Sequence, residues 1–467
     1  MQLAKFKHNC PKLILLLACL CFIGITAADV SAKQLEIKKP LVDNTQGKQV
    51  VKITKLVIKE VALTTTASGE PYVPLSEAIG PKDSALLVAP DGRRLYAKNV
   101  DLGLVPASTI KVLTVANAIH YLGSDYRFRT EIYLTPEKSL KIKGCGDPML
   151  SAKIVKQLVE ELVPQLPYKK FRNLELDDTF FSGGTFIVDG VEPNLGKLYN
   201  AANGALSVNF NVVQFETDKN GNVTNADPDT PMVPLSLKRA AETGKKKGNF
   251  VLWHENFEPT MYAGEIFKHF MEENGVQFSG DLVRKPVTSK DLLLLEFQSP
   301  YTLSEVSRSL LKYSNNFIAN QIMMTVAAEI SGQPATLQEG IKLTQQYLNA
   351  NLKLQNVKLV EASGLSRANN ICANDMYTIL QNFDSCKELL RNENGHLYKT
   401  GTLSDVRSRV GFIETPKGSY AFVIMMNTPG RSAMPVLDNF FSLVSEDAGL
   451  YENTDGSPLV SQDISAY

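Results

Sequence analysis

The 467-residue chain is longer than one hydrophobic core ordinarily serves, so two or three domains are expected. Hydrophobic residues make up 44% and charged residues 21%, a balance that excludes a disordered or membrane-embedded chain. Lysine plus arginine equals aspartate plus glutamate, 49 each, which removes the basic excess that a nucleic-acid partner requires.

Residues 1–28 read as a signal peptide. Lys5, Lys7 and Lys12 form a positive start, and Leu13 to Ile25 is an apolar run of 13 residues, short for a bilayer span. Cleavage after Ala28 or after Ala32 fits the small residues there. An uncleaved anchor and lipidation at Cys19 (Leu16-Leu17-Ala18-Cys19) are the alternatives; the apolar stretch Leu20 to Ile25 argues against the second. Export to the periplasm or cell envelope follows, and a peripheral membrane association is compatible with it. Removing the signal leaves 46 basic against 49 acidic residues and takes Cys10, Cys19 and Cys21 away. Cys145, Cys372 and Cys386 remain, an odd number that precludes a full disulfide framework. One Cys372–Cys386 bridge or three buried thiols both stay open.

Residues 29–83 form an N-terminal segment without a functional reading; Val50 to Leu63 alternates enough to suggest strand. SALLVAP then reads as a buried strand, Asp91-Gly92 as a turn and RRLYAKN as the returning strand. Pro106 and Ser108 open a helix with apolar residues at helical spacing, and Gly123 closes it. Residues 131–289 change character. Short runs such as EIYLTP, FRNLELDD, GTFIVDG, GALSVNFNVVQFET and NFVLWHE, among glycines and prolines, suggest an inserted, mostly β region. Helical periodicity returns at Ser304. VRSRVGFIET and SYAFVIMMN read as a hairpin, and 434–446 as an amphipathic closing helix. The expected division is a main domain from 84–130 and 290–467, interrupted by 131–289.

HExxH, CxxC, GxSxG and phosphate-loop patterns are absent, and no histidines sit at metal spacing, so neither metal nor cofactor is expected. Three short motifs occur in order instead: Ser108-Thr109-Ile110-Lys111, Ser314-Asn315-Asn316 and Lys399-Thr400-Gly401. A serine hydroxyl is a weak nucleophile until a neighbouring base takes its proton. Positions three apart on a helix share a face, which puts Lys111 beside Ser108. Lysine acts as a base only when burial or a second cation depresses its pKa, and Lys399 is the candidate cation. Ser314 and Asn316 would relay the proton and hold the substrate amide. The strand from Lys399 to Thr402 would pair with a peptide as an added strand. The amides of Ser108 and Thr402 would hold the oxyanion, each such donor being worth about 2.7–4 kcal/mol. Each motif alone is weak. Ser309 to Lys312 repeats Ser-x-x-Lys, and Ser207-Val208-Asn209 repeats Ser-x-Asn. Ser108 is distinguished by its place at the start of a helix, after a Pro-Ala turn.

With these motifs, VPASTIKVLTVANAIHYLGSDYRF, KIKGCGDPML, LELDDTFF, YNAANGALSVNFN, EASGLSRANN and KTGTLSDVRSRVGF resemble successive blocks of one family over residues 84–430. It is the low-molecular-mass class C penicillin-binding proteins, D-alanyl-D-alanine carboxypeptidase/endopeptidases of the penicillin-binding protein 4 type. The resemblance implies a transpeptidase-like α/β fold, an antiparallel sheet flanked by helices, with a large insertion between the first two motifs. It implies hydrolysis of peptidoglycan stem peptides through an acyl-enzyme, with β-lactams as inhibitors. Ser108 would be acylated with Lys111 as its base, Ser314 and Asn316 would form the second motif, and Lys399 and Thr400 would bind the terminal carboxylate. Asp178 would meet a stem-peptide ammonium, and Arg367 would lie beside the cleft. Glu361-Ala362 stands where Asp-Gly is usual, Asn320 where Glu is common, Tyr313 for Pro and Cys145 for Gly. Two other readings share the machinery: a β-lactamase or esterase, and a catalytically silent peptidoglycan-binding protein.

Overall fold

A computed structural model describes residues 73–183, 188, 198–252, 257–393 and 395–450, together with the backbone of four short strands between 35 and 58. The proposed signal, Cys19 and most of the GTFIVDG run lie outside the described residues. Two compact units are present, residues 1–74 and 75–467. In the first, Leu35–Glu36 pairs antiparallel with Val57–Ile58, and Leu41–Asp43 with Val50–Lys52, so part of the alternating segment is indeed strand.

The second unit is built on a six-stranded antiparallel sheet. Its order is Arg391–Glu393, His396–Leu403, Val406–Thr415, Gly418–Met426, Asp83–Val88 and Arg94–Lys98. Strands from early and late in this unit thus meet in one layer. Asp83 and Asn427 tie the junction: buried Asp83 Oδ1 accepts the Asn427 N–H at 2.9 Å, and Asn427 Oδ1 accepts the Val105 N–H at 2.8 Å.

Two helices buried on nearly every side pack beside this sheet. Lys111–Leu122 is buried continuously from Lys111 to Ala118, and Asn316–Ser331 from Phe317 to Ala328. A helix apolar all round belongs inside, where both its faces meet other elements. Leu303–Tyr313 is amphipathic instead, burying Leu303, Val306, Leu310 and Leu311. It starts with a capping box in which Glu305 Oε2 accepts the Thr302 N–H at 2.8 Å. It ends at Ser314 in the left-handed region, φ 59°.

The segment 131–289 departs from the mostly β expectation. It contains the helices Ala152–Leu162, Pro234–Glu242 and Glu258–Glu273. Ile154, Val155, Leu158, Val159 and Leu162 recur at helical spacing and are all buried, as are Tyr262, Ala263, Ile266, Phe267, Phe270 and Met271. That period outweighs the turn-rich stretches between. The helices Ala152–Leu162 and Glu258–Glu273 share a second core with a five-stranded sheet ordered Leu282–Arg284, Leu174–Asp177, Leu140–Gly144, Arg127–Leu134 and Leu292–Thr302. The first three strands run parallel.

All three described cysteines are free, so no Cys372–Cys386 bridge forms. Cys145 is buried; the other two are half-buried, and Cys372 Sγ caps the helix Ala373–Phe383 by accepting the Asp375 N–H. Among the described residues no helix is long and apolar enough to cross a membrane.

Candidate active site

The Ser108 turn is shaped by its neighbours. Ala107 sits at φ 50°, a left-handed backbone for a residue with a Cβ, and Ala107 to Ile110 form a 3-10 turn leading into Lys111–Leu122. Two glycines let other chain segments close on this turn. A Cβ on Gly401 would stand 2.6 Å from Pro106 O and 3.0 Å from Ser108 N. A Cβ on Gly364, whose φ is +79°, would stand 1.9 Å from Ala107 O. The Lys-Thr-Gly strand and the Ser363-Gly364 turn therefore abut the backbone of Ser108 directly, a placement that only glycine permits.

Lys111 is wholly buried, and its Nζ has three neighbours. Ser108 Oγ lies at 2.9 Å, Asn316 Oδ1 at 2.7 Å, and the Ser363 carbonyl oxygen in short contact. Asn316 Nδ2 donates to Tyr199 O at 3.0 Å, so its Oδ1 must face the lysine. A neutral amine has two N–H groups and one lone pair. The Asn316 and Ser363 oxygens can only accept, so they take both hydrogens. The lone pair is left for Ser108, the one neighbour with a proton to give. Burial holds the Lys111 amine well below the ordinary lysine pKa, the nearby Lys399 ammonium lowers it further, and Glu361 opposes both.

Lys399 is also buried. Its Nζ lies 2.9 Å from Ser314 Oγ and 2.7 Å from Thr400 O, and burial brings its pKa down to about 7. Ser314 is presented by the left-handed end of Leu303–Tyr313, and Asn316 begins the next helix under the Asn315 cap, whose Oδ1 accepts the Ile318 N–H at 3.2 Å. Arg391–Glu393 pairs only with His396–Tyr398, so among the described residues Lys399–Leu403 has no strand on that edge. Thr400 and Thr402 are exposed along it, whereas Gly401 is buried. A free edge beside a serine is where an extended peptide can add as a strand.

The structure brings Ser108, Lys111, Ser314, Asn316, Lys399, Thr400, Gly401 and Thr402 to this one place, from segments far apart in the chain. Arg367 stands close by. It donates to Ser404 Oγ at 2.7 Å and pairs with Asp405, joining the 361–367 loop to the turn after the Lys-Thr-Gly strand. Asp178 does not join the cluster. It is buried, with Arg284 Nη2 at 2.7 Å from Oδ1 and Thr260 Oγ1 at 2.7 Å from Oδ2, so its charge is already answered. The motif repeats are elsewhere occupied. Ser207 Oγ donates to Gly204 O at 2.9 Å, and Lys312 is exposed.

Reading by motif missed the loop that completes the Lys111 shell. Glu361, Ser363 and Asn369 form a buried network: Glu361 Oε2 accepts the Ser363 N–H at 2.7 Å, and Oε1 accepts from Asn369 Nδ2 at 2.8 Å. Thr114 Oγ1 donates to Ala362 O at 2.7 Å, pinning the loop to the Ser108 helix. The signal was in EASGLSRANN, but the residue that matters most there contributes a backbone carbonyl, which no side-chain pattern marks.

Comparison with known proteins gives the fold and the family. A D-alanyl-D-alanine carboxypeptidase of an Actinomadura species is 25% identical over 431 residues, 77% of this chain and 80% of that protein. The crystal structure of penicillin binding protein 4 from Haemophilus influenzae superposes with a TM-score of 0.66 at 21% identity, covering 80% of this chain and 98% of that one. A second structure of that protein, complexed with a β-lactam, gives a TM-score of 0.61 at 20% identity over 79% and 97% of the two chains. The family model matches residues 77–245 and 236–393, more than half of the chain, and the protein therefore belongs to the D-Ala-D-Ala carboxypeptidase 3 (S13) family.

Proposed function

We propose that the protein is a serine-type D-Ala-D-Ala carboxypeptidase and DD-endopeptidase in which Ser108 is acylated by a peptidoglycan stem peptide, with neutral Lys111 as its base. The observation that carries this is the Lys111 shell: two acceptor-only neighbours and one hydroxyl, at 2.7 and 2.9 Å for the side-chain partners. Ser108 Oγ attacks the D-Ala carbonyl and its proton passes to Lys111. The amides of Ser108 and Thr402 hold the oxyanion. The proton then reaches the leaving amine along Ser314, which Lys399 holds in place. Water reverses the sequence and frees the enzyme.

Thr400 and Lys399 receive the terminal carboxylate, and Arg367 fixes the far rim of the cleft. Asp178 would meet a substrate ammonium only by giving up Arg284. Export to the cell envelope fits the substrate and the apolar N-terminal run. The segment between 131 and 289 acts as an insertion in the main fold. A β-lactam, which imitates the D-Ala-D-Ala end, acylates the same serine; the bound β-lactam in the Haemophilus relative supports that arm.

Intact-mass spectrometry after exposure to benzylpenicillin tests the assignment. One adduct on the wild type and none on Ser108→Ala are expected. An undiminished adduct on Ser108→Ala sinks it. Incubation with purified muropeptides should release D-alanine or separate cross-linked stems.

A further inference from the structure

A groove of about 660 Å³ opens beside the second motif, lined by Arg308, Lys312, Tyr313, Glu388, Arg391 and Leu397 among others. Three of these are cationic and one is acidic. Their present engagements are weak or leave the charge unanswered. Arg308 donates to the Glu388 backbone carbonyl, Lys312 Nζ lies 5.2 Å from the centre of the Tyr313 ring, and Arg391 Nη2 is 3.6 Å from Glu393. Tyr313 is 70% exposed, an unusual state for a large ring directly before Ser314.

The groove and the cleft share neighbours in the chain: Tyr313 precedes Ser314, and Leu397 belongs to the strand that carries Lys399. Leu397 and Lys399 lie two apart on one strand, so they face the same side, about 7 Å from one another. With the scissile carbonyl at Thr402 and the leaving residue's carboxylate at Lys399 and Thr400, whatever extends beyond the leaving residue meets Arg391–Glu393, which closes the edge at His396–Tyr398, and must turn off it toward the groove that Arg391 and Leu397 line. A single D-alanine ends before it. The second stem of a cross-link does not.

We propose that this groove is the binding site for the leaving strand of a cross-linked substrate, with Arg308, Lys312 and Arg391 taking its free carboxylates and Tyr313 covering its backbone. The inference rests on the acyl-enzyme reading above and assigns the leaving-group half of that site. Charge complementarity selects an anionic peptide, and the strand shared with Lys-Thr-Gly selects the leaving side. The site would favour endopeptidase over carboxypeptidase turnover.

The test compares three substrates: a pentapeptide monomer, a cross-linked dimer with free carboxylates on the leaving strand, and the same dimer with those carboxylates amidated. The proteins are wild type, Lys312→Gln and the double variant Lys312→Gln/Arg391→Gln. KM for the free-acid dimer should rise at least tenfold in the double variant. Monomer turnover and penicillin acylation should stay within twofold, and wild type should bind the amidated dimer as poorly as the variant binds the free acid. Lys312 is exposed, so its single variant retains the fold if the double one does not. An unchanged dimer KM in the single and double variants overturns the groove assignment, as does an equal loss on monomer and dimer. Failure of the acylation reading shows separately, as a penicillin adduct that survives Ser108→Ala.

Discussion

Asn320 and Glu361 interlock in both directions: Asn320 Nδ2 donates to Glu361 Oε2 at 3.4 Å, and Asn320 Oδ1 accepts the N–H of Ala362, next to Glu361, at 2.9 Å. The pair holds one acid, and it stands on the loop rather than on the helix. Its carboxylate is buried, holds the turn that offers the Ser363 carbonyl to Lys111, and counteracts burial and Lys399 at that amine.

Glu361→Gln should therefore move the acid limb of the acylation pH profile to lower pH, because Lys111 loses the charge that favours its protonated form. The maximal rate should fall as well, since an amide cannot accept all the N–H groups that now converge on the carboxylate. Stopped-flow acylation by a chromogenic β-lactam across pH distinguishes the two effects. A lower rate with an unshifted limb means Glu361 only holds the loop.

Lys111→Met should reduce penicillin acylation by a factor on the order of 10²–10⁴, the usual worth of a positioned base. Circular dichroism should show the fold retained, because the variant removes a buried amine without adding bulk. Wild-type acylation in Lys111→Met would transfer the base role elsewhere.

Gly364→Ala meets backbone rather than a movable side chain, 1.9 Å from Ala107 O, and at a φ of +79°. The thermal midpoint should drop by an amount corresponding to more than about 1 kcal/mol, and acylation should fall with it. An unaltered midpoint would show that the 361–367 loop can withdraw from the serine.

Lys399 should destabilise the fold in a pH-dependent way. Its pKa is about 7 in the folded chain against an ordinary 10.5, so between those values the unfolded chain carries a proton that the folded one lacks. Stability therefore rises as pH rises through that window, and the penalty is complete below pH 7. Lys399→Met should be more stable than wild type near pH 7 by a few kcal/mol at most, with the gap closing toward pH 10.5, while activity is lost. Denaturant titrations at several pH values check this; a gap that does not narrow with pH contradicts it.

The legible parts of this protein were those with local cause. Ser108 and Lys111 share a helical turn, the hairpin from Val406 to Met426 alternates cleanly, and the apolar stripe at 434–446 became the helix Met434–Ala448. The five motif side chains meet through hydrogen bonds that cross up to 205 positions, and only their order and chemistry hinted at it. The bond between Asp178 and Arg284 was not legible, because the two lie 106 residues apart and meet only where neighbouring parallel strands bring them together. The helices of 131–289 were passed over because glycines and prolines between them drew more weight than the regular recurrence of Ile154, Leu158 and Leu162.

The sheet that carries Lys399 is joined by Asp83–Val88 to Gly418–Met426, strands some 340 residues apart. A ribosome must finish nearly the whole polypeptide before that joint can form, and the amine opposite Ser108 acquires its Ser363 contact at a similarly late stage. Until then the Lys-Thr-Gly strand lacks the sheet that fixes it beside Ser108. The serine and the strand beside it are held together only once Gly418–Met426 has paired with Asp83–Val88.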